Sequence, residues 1–493
     1  MTNTEKLYAL ERKLSAYGHA MGILNYDGET TAPKGTGKNR GMTLEILGEE
    51  YYKLSTCEET ASLLKELDQV KDTLDEKTKR IVTLRMREME EISKIPMEEY
   101  LAYQLLTNEA SDVWHEAKVK NDYASFAPYI DKIVETLKKF ASYVRPDLNP
   151  YDYMLDRFEK GLTQEKCDAF FGPLLETLKP IIQHVISSAP VDETLLNVHF
   201  PIADQRILSD KIMEILKMDR NHVGIGETEH PFTTSFSRYD VRITTHYHEN
   251  AFASSLYSVV HEAGHGLYDA NTGEELAYTI AGDASTMAVH ESQSRFYENI
   301  IGRSRAFVKI LAPEIRKLCP ALKDYSDEDM YRAFNVSKPS LIRTEADELT
   351  YSMHVVIRYE IEKKLFAGEI TAKDLPEIWN RLYKEYLGVD VPSDTEGVLQ
   401  DSHWSGGGFG YFPSYSLGSA YAAQLFETMK KDFDVEKEVE MGDLTKVNDW
   451  LREKIWKFGS MKEPGALMKD AFGEFDCKYY TDYLRNKYME IYK

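Results

Sequence analysis

The chemically densest stretch of the sequence is His261-Glu262-Ala263-Gly264-His265, inside a run (residues 254–270) whose apolar residues recur at helical spacing. On a helix, a spacing of four stacks both imidazoles on one face, one turn apart. They can then chelate one zinc ion, with Glu262 near the open coordination position. The chemistry of such a set is hydrolysis: zinc lowers the pKa of its bound water and polarises a carbonyl, and the glutamate passes the water's proton to the leaving amine. A catalytic zinc site usually takes a third protein ligand. Residues 282–299 offer one in His290-Glu291-Ser292-Gln293-Ser294, which also reads as helix. Glu291 is expected rather than His290, because a second helix packed on the first would present one carboxylate and leave the fourth position to water. Asp269 and Asp283 are candidates for fixing an imidazole tautomer, and either could equally cap a helix or carry surface charge.

Most of the chain that must position these groups reads as helix. Leu, Ile, Met and aromatic residues recur three and four apart among Glu and Lys, as in residues 73–95 and 129–144. Breakers are expected at 27–41, 146–150, 188–190 and 391–397, none of them long enough for an interdomain linker. With no internal repeat, the expectation is one catalytic body spanning residues 1–493, mainly α-helical, with two lobes. The exception to helix is 232–248, where Val241, Ile243, Thr245 and Tyr247 alternate with Arg242, Thr244, His246 and His248. That alternation predicts a strand over 240–248, paired with 232–236 across a turn at 237–239. A small sheet beside a metal helix can hold an extended peptide on its edge.

Composition narrows the partners. The 493 residues are 42% hydrophobic and 29% charged, enough for a large core under a charged surface. With 60 Lys and Arg against 82 Asp and Glu, the net charge of −22 repels phosphate backbones, so neither nucleic acid nor an anionic membrane is expected as a partner. Cys57, Cys167, Cys319 and Cys477 are far apart and are expected to be reduced and buried. No stretch is long and apolar enough for a membrane span, and the first residues lack a signal-like pattern, which makes the cytoplasm the expected location.

Six motifs in order carry a family resemblance: His230-Pro231-Phe232, Asp240-Val241-Arg242-Ile243-Thr244, the His261–His265 segment, His290-Glu291-Ser292-Gln293, Ile342-Arg343-Thr344-Glu345-Ala346-Asp347, and Gly397-Val398-Leu399-Gln400-Asp401-Ser402-His403-Trp404. The chain resembles the carboxypeptidase Taq family of zinc metallocarboxypeptidases. Weaker similarity at Tyr26-Asp27-Gly28-Glu29-Thr30 and Tyr151-Asp152-Tyr153-Met154-Leu155-Asp156 extends it over nearly the whole length. Tyr26 departs from the family's usual Trp. The resemblance implies a mostly helical fold with a deep groove, one zinc or cobalt ion per chain, commonly a homodimer, and release of C-terminal residues from peptides with broad tolerance.

An exopeptidase must hold the free terminal carboxylate, and a planar guanidinium suits that task better than an ammonium. Arg242 and Arg343 are the candidates, both at positions that the family uses in its groove. The oxyanion that forms on the substrate calls for a donor opposite the metal, for which His403 and Tyr415 are expected, with Tyr411 as rival. Tyr415 follows Gly406-Gly407-Gly408-Phe409-Gly410, a run that lacks the Gly-Lys-Ser/Thr of a phosphate loop. Two other readings remain: a zinc oligoendopeptidase of short peptides, and a helical binding protein without catalysis.

Overall fold

The computed structural model describes residues 1–493 and contains twenty α-helices and one three-stranded sheet. The expected helices form as Glu76–Ser93 and Tyr123–Val144, and each is capped by an aspartate. Asp75 accepts from the Thr78 amide at 3.0 Å, and Asp122 accepts from the Ser125 amide at 3.4 Å, satisfying donors that a helix start leaves unpaired. The break expected across 27–41 is narrower than its composition suggests. One helix, Asn3–Thr30, runs through Gly28, and the next, Gly37–Thr56, starts before Gly41. No helix is long and apolar enough to cross a membrane. All four cysteines are free, and Cys57 is exposed at the start of a helix, against the expectation of burial.

Two apolar bodies underlie the two lobes. The larger one links buried residues from Ala110 to Tyr492. The smaller joins Leu7, Leu63, Leu67, Ile81 and Val82, all on N-terminal helices, to Leu276 and Ala281.

The sheet consists of β1 (Val223–Glu227), β2 (Thr233–Ser237) and β3 (Asp240–Thr245), in the order β1-β3-β2. β2 and β3 form the expected antiparallel pair, but β3 stops at Thr245 instead of His248 and lies in the centre, parallel to β1. The peptide-accepting edge expected on this sheet therefore cannot be β3. The glycines of β1 hide it from a propensity reading, yet they have a steric reason. A Cβ on Gly224 would lie 3.0 Å from Arg242 Cδ, and one on Gly226 would lie 2.3 Å from the Tyr26 hydroxyl.

Two further glycines bring the chemistry together. The Phe252–Ala270 helix packs its buried Leu256, Val260, Ala263 and Leu267 into the core. A Cβ on its Gly264 would meet Gln293 O and Ser294 Cα at 2.6 Å, so only glycine lets this helix approach the Met287–Arg295 helix so closely. A Cβ on Gly418, in the Pro413–Met429 helix, would meet Glu291 Cβ at 2.7 Å. Glycine in a helix costs about 1 kcal/mol relative to alanine, and here the return is a carboxylate wedged beside two histidines.

Candidate metal centre and groove

His261, His265 and Glu291 converge, with one ligand atom from each within 4.8 Å of the others. Glu291 Oε2 lies 3.9 Å from His261 Nε2 and 3.5 Å from His265 Nε2. The opposite ring nitrogens are engaged. His261 Nδ1 donates to Glu298 Oε2 at 2.8 Å, which leaves its Nε2 with a lone pair facing Glu291. His265 Nδ1 contacts His290 Nδ1, and His290 Nε2 donates to Asp269 Oδ1 at 3.0 Å. Hydrogen bonding through the chain Asp269–His290–His265 therefore requires His265 to donate from Nδ1 and to keep the lone pair on Nε2. Two imidazole nitrogens and one carboxylate, each aimed by an outer partner, fit a divalent metal ion.

Glu291 is buried, which alone would raise its pKa. Arg295, His261 and His265 outweigh that and hold it well below the ordinary carboxylate range. Arg295 donates to Glu291 Oε1 at 2.6 Å and to Glu298 Oε2 at 3.1 Å. Sequence reasoning missed both Arg295 and Glu298. The available signal was the spacing Glu291, Arg295, Glu298, which puts alternating charges on one helical face. Glu298 sits in a π-helical turn, Phe296–Gly302, where the chain widens just beyond the ligand. Of the two aspartates considered, Asp269 reaches the centre through His290. Asp283 lines a cavity of about 480 Å³ that Asp269 and His290 also border, and there burial pushes its carboxyl up to about 7 against the pull of Arg85.

A groove of about 1220 Å³ opens over His261, Glu262 and Glu291, and Arg343, Tyr351 and Tyr415 also line it. Glu262 is buried, and the Thr233 hydroxyl of β2 donates to its Oε2 at 2.6 Å. The sheet thus positions the glutamate, a second role besides covering the helix.

The two arginines differ. Arg242 points from β3 towards Tyr26 and Phe236, its guanidinium 5.8 and 5.9 Å from their ring centres, and Asp240 holds it through two hydrogen bonds. It does not line the groove, because alternation along β3 turns Val241 and Ile243 to the core and Arg242 away from it. Arg343 does line the groove, buried, donating to Asp401 at 2.8 and 3.0 Å and to the Tyr351 hydroxyl at 3.0 Å.

Around Arg343 cluster the expected donors. Its guanidinium carbon lies 5.2 Å from the Tyr415 ring centre, and the Tyr415 ring is 5.1 Å from Tyr411 and 6.4 Å from His403. Burial pulls His403 down to about 4, with Asp401 opposing, so its imidazole is neutral at pH 7. His403 Nδ1 is buried without a hydrogen-bond partner. Trp404 is packing: it is buried, and its indole N–H donates to Glu362. Of the two strand-end histidines, His248 lines the groove, whereas His246 Nδ1 bonds the Thr228 carbonyl at 2.8 Å.

A mainly helical body whose groove is lined by His261, Glu262 and Glu291, with His265 converging on the same point, defines a metal-dependent hydrolase. The carboxypeptidase Taq (M32) metallopeptidase family matches residues 6–488. Carboxypeptidase 1 of Bacillus subtilis (strain 168) is 40% identical over 495 residues, covering 100% of this chain and 99% of the relative. Thermostable carboxypeptidase 1 of Pyrococcus furiosus is 34% identical and covers 98% of each. The crystal structure of the M32 carboxypeptidase from Deinococcus radiodurans R1 superposes with a TM-score of 0.97 at 32% identity over 100% of both chains. The chain belongs to the carboxypeptidase Taq (M32) family and is a metallocarboxypeptidase, as the six ordered motifs imply.

Proposed function

We propose that this metallocarboxypeptidase carries one zinc ion per chain, with cobalt able to replace it, on His261, His265 and Glu291, and that it removes single C-terminal residues from peptides with broad tolerance. The observation that carries the reading is the convergence of those three ligand atoms within 4.8 Å, on the wall of a groove that Glu262 and Arg343 share. Bound there, the ion supplies Lewis acidity, lowering the pKa of a water and polarising the scissile carbonyl. Glu262 takes the proton of the attacking water and delivers it to the leaving amine. Thr233 donates to Oε2, and Oε1, which has no donor from the protein, is the oxygen we assign to this proton.

Tyr415 and His403 donate to the oxyanion. Burial pushes the Tyr415 phenol well above its ordinary pKa, so it remains a donor at neutral pH, and a neutral His403 can also give one N–H. Arg343 receives the substrate's terminal carboxylate. Asp401 and Tyr351 take three of its five N–H groups, which orients the guanidinium and leaves two for a ligand. Arg242 takes second place, since it would first have to leave Asp240.

We also assign the whole chain, residues 1–493, to one catalytic unit, supported by the large apolar core from Ala110 to Tyr492 and by the smaller cluster that ties the N-terminal helices to Leu276 and Ala281. The family resemblance supports a homodimer, and we place it in the cytoplasm. The net charge of −22 supports peptides rather than nucleic acid or an anionic membrane surface as partners.

The test pairs metal analysis with mass spectrometry of a free-acid peptide and its C-terminal amide. About one zinc per chain, and stepwise shortening of the free acid only, are expected. Internal cuts in both peptides would reassign the enzyme as an oligoendopeptidase. Absence of both metal and cleavage after reconstitution would leave a binding protein.

A further inference from the structure

The segment 400–412, which carries His403, has no helix or strand of its own, and Tyr415 follows in the first turn of the Pro413–Met429 helix. A segment without a backbone ladder needs other means to hold His403 in place and to set where the helix that carries Tyr415 begins. The means lie on the Glu348–Ala367 helix, whose Arg358 and Glu362 are both fully buried and, four residues apart, face the same way.

Arg358 grips one end of the segment. It donates through Nη2 to Gln400 Oε1 at 2.8 Å and through Nε to Asp401 Oδ2 at 2.6 Å, while its Nη1 is tied to the His354 carbonyl at 2.8 Å. Glu362 grips the other end. One carboxylate oxygen accepts from the Trp404 indole at 2.7 Å, and the other accepts from the Gly410 amide at 2.8 Å and the Tyr151 hydroxyl at 2.9 Å. Between the grips the chain folds on itself, the Gly408 amide donating to the His403 carbonyl at 2.8 Å. Gly410, at φ +83°, presses so closely on the neighbouring Pro150–Phe158 helix that a Cβ would meet the Met154 carbonyl at 2.6 Å. The Tyr151–Asp156 stretch, which has no part in the chemistry, thus backs the loop.

We propose that Glu362, together with Arg358, is a positioning residue: the pair clamps the 400–412 segment at both ends and so sets His403 and Tyr415 over the groove. The proposal rests on the oxyanion assignment of those two residues. Trp404 and Gly410 can only donate, one to each oxygen of Glu362, so a carboxylate satisfies both and an amide cannot. In Glu362→Gln the added NH₂ faces at least one N–H head on, with nearly unchanged volume.

The experiment measures kcat and KM on a free-acid peptide, with metal content and the absorption spectrum of the cobalt form, for Glu362→Gln, Tyr151→Phe, Tyr415→Phe, His403→Ala and the double variant Glu362→Gln/Tyr415→Phe. A misplaced donor costs about 100-fold in kcat. Glu362→Gln is expected to lose about that much with KM, metal content and cobalt spectrum unchanged, and Tyr151→Phe, which removes one donor and leaves the carboxylate intact, to lose less. In the Tyr415→Phe background the Glu362→Gln loss should shrink, because the donor it positions is already gone. Wild-type turnover in Glu362→Gln overturns the clamp alone. A loss that simply adds to that of Tyr415→Phe makes Glu362 a general stabiliser and overturns it too. Should Glu362→Gln fail to fold, Tyr151→Phe decides: lowered kcat at constant KM and metal content sustains the clamp, and wild-type kcat overturns it. Wild-type turnover in both Tyr415→Phe and His403→Ala overturns the oxyanion assignment first, and the clamp with it.

Discussion

The metal centre and the His403 segment achieve the same precision by different means. At the metal centre, spacing within regular helices does most of the work: His261 and His265 are one turn apart, and Glu291 arrives because Gly264 and Gly418 leave no side chain in the way. Around His403 no spacing rule operates. His403 lies in an irregular segment held by buried charged groups of another helix, Arg358 and Glu362. A helix transmits position through its own backbone bonds, whereas a loop must borrow position from side chains elsewhere in the chain, each of which must be fully satisfied to be tolerated in the core. The metal centre is therefore expected to be sensitive to single methyl groups, and the His403 segment to single hydrogen bonds.

The largest effect should come from separating chemistry from metal binding at the metal centre. Glu262→Gln keeps the shape of the residue and its hydrogen bond from Thr233 but removes the base. Turnover should fall by about 10²- to 10⁴-fold while zinc content stays at about one per chain. Kinetics together with elemental analysis of the same preparation check this, and near-normal turnover would assign the base to another residue.

A single methyl should act next. In Gly264→Ala the new Cβ would sit 2.6 Å from Gln293 O, a backbone atom that cannot swing aside. The overpacking penalty of about 1–3 kcal/mol exceeds the gain in helix propensity of about 1 kcal/mol, so a net loss of stability and weaker metal retention against a chelator are expected. The paired control is Gly172→Ala, also inside a helix but with open space around it, which should stabilise by about 0.5–1 kcal/mol. Denaturant unfolding of the two variants measures both signs, and equal shifts would remove the close-approach argument.

The same contrast explains what was legible in the sequence. The convergence of His261, His265 and Glu291 beside Glu262 could be read because the spacing is local: 261, 262 and 265 share a helix, and Glu291 sits in a second helical run nearby. The helical majority followed from periodicity, and β2 and β3 from alternation. Partners whose reason lies in tertiary contact were out of reach. β1 was hidden because Gly224 and Gly226 look like breakers until Arg242 and Tyr26 are seen packed over them. Arg242 itself reads as a groove residue from its motif, and only the strand's alternation against Asp240 and Tyr26 shows it facing elsewhere. Glu362 lies 41 residues before His403 in sequence and carries no spacing signal at all.

The smallest effect concerns a remote side chain at the start of the helix that carries Glu291. Glu159 is buried at the start of the Met287–Arg295 helix, where it accepts from the Ala288 amide at 3.1 Å. Burial pushes its carboxyl up to about 7, against the pull of the Ala288 hydrogen bond. In the unfolded chain a glutamate titrates near its ordinary value of about 4.3, so between there and about 7 the folded protein holds a proton that the unfolded chain has released. The associated stability is fully present below about 4.3 and is lost as pH rises through about 7. Glu159→Gln, neutral at every pH and still offering a carbonyl to the Ala288 amide, removes that one proton from the linkage. Thermal unfolding from pH 5 to pH 8 should therefore show a shallower fall of Tm with pH in Glu159→Gln than in the wild type, with metal content equal. An unchanged slope would mean that this carboxyl enters the folded state already ionised, and that the helix carrying Glu291 is capped by a charge instead of a proton-bearing acid.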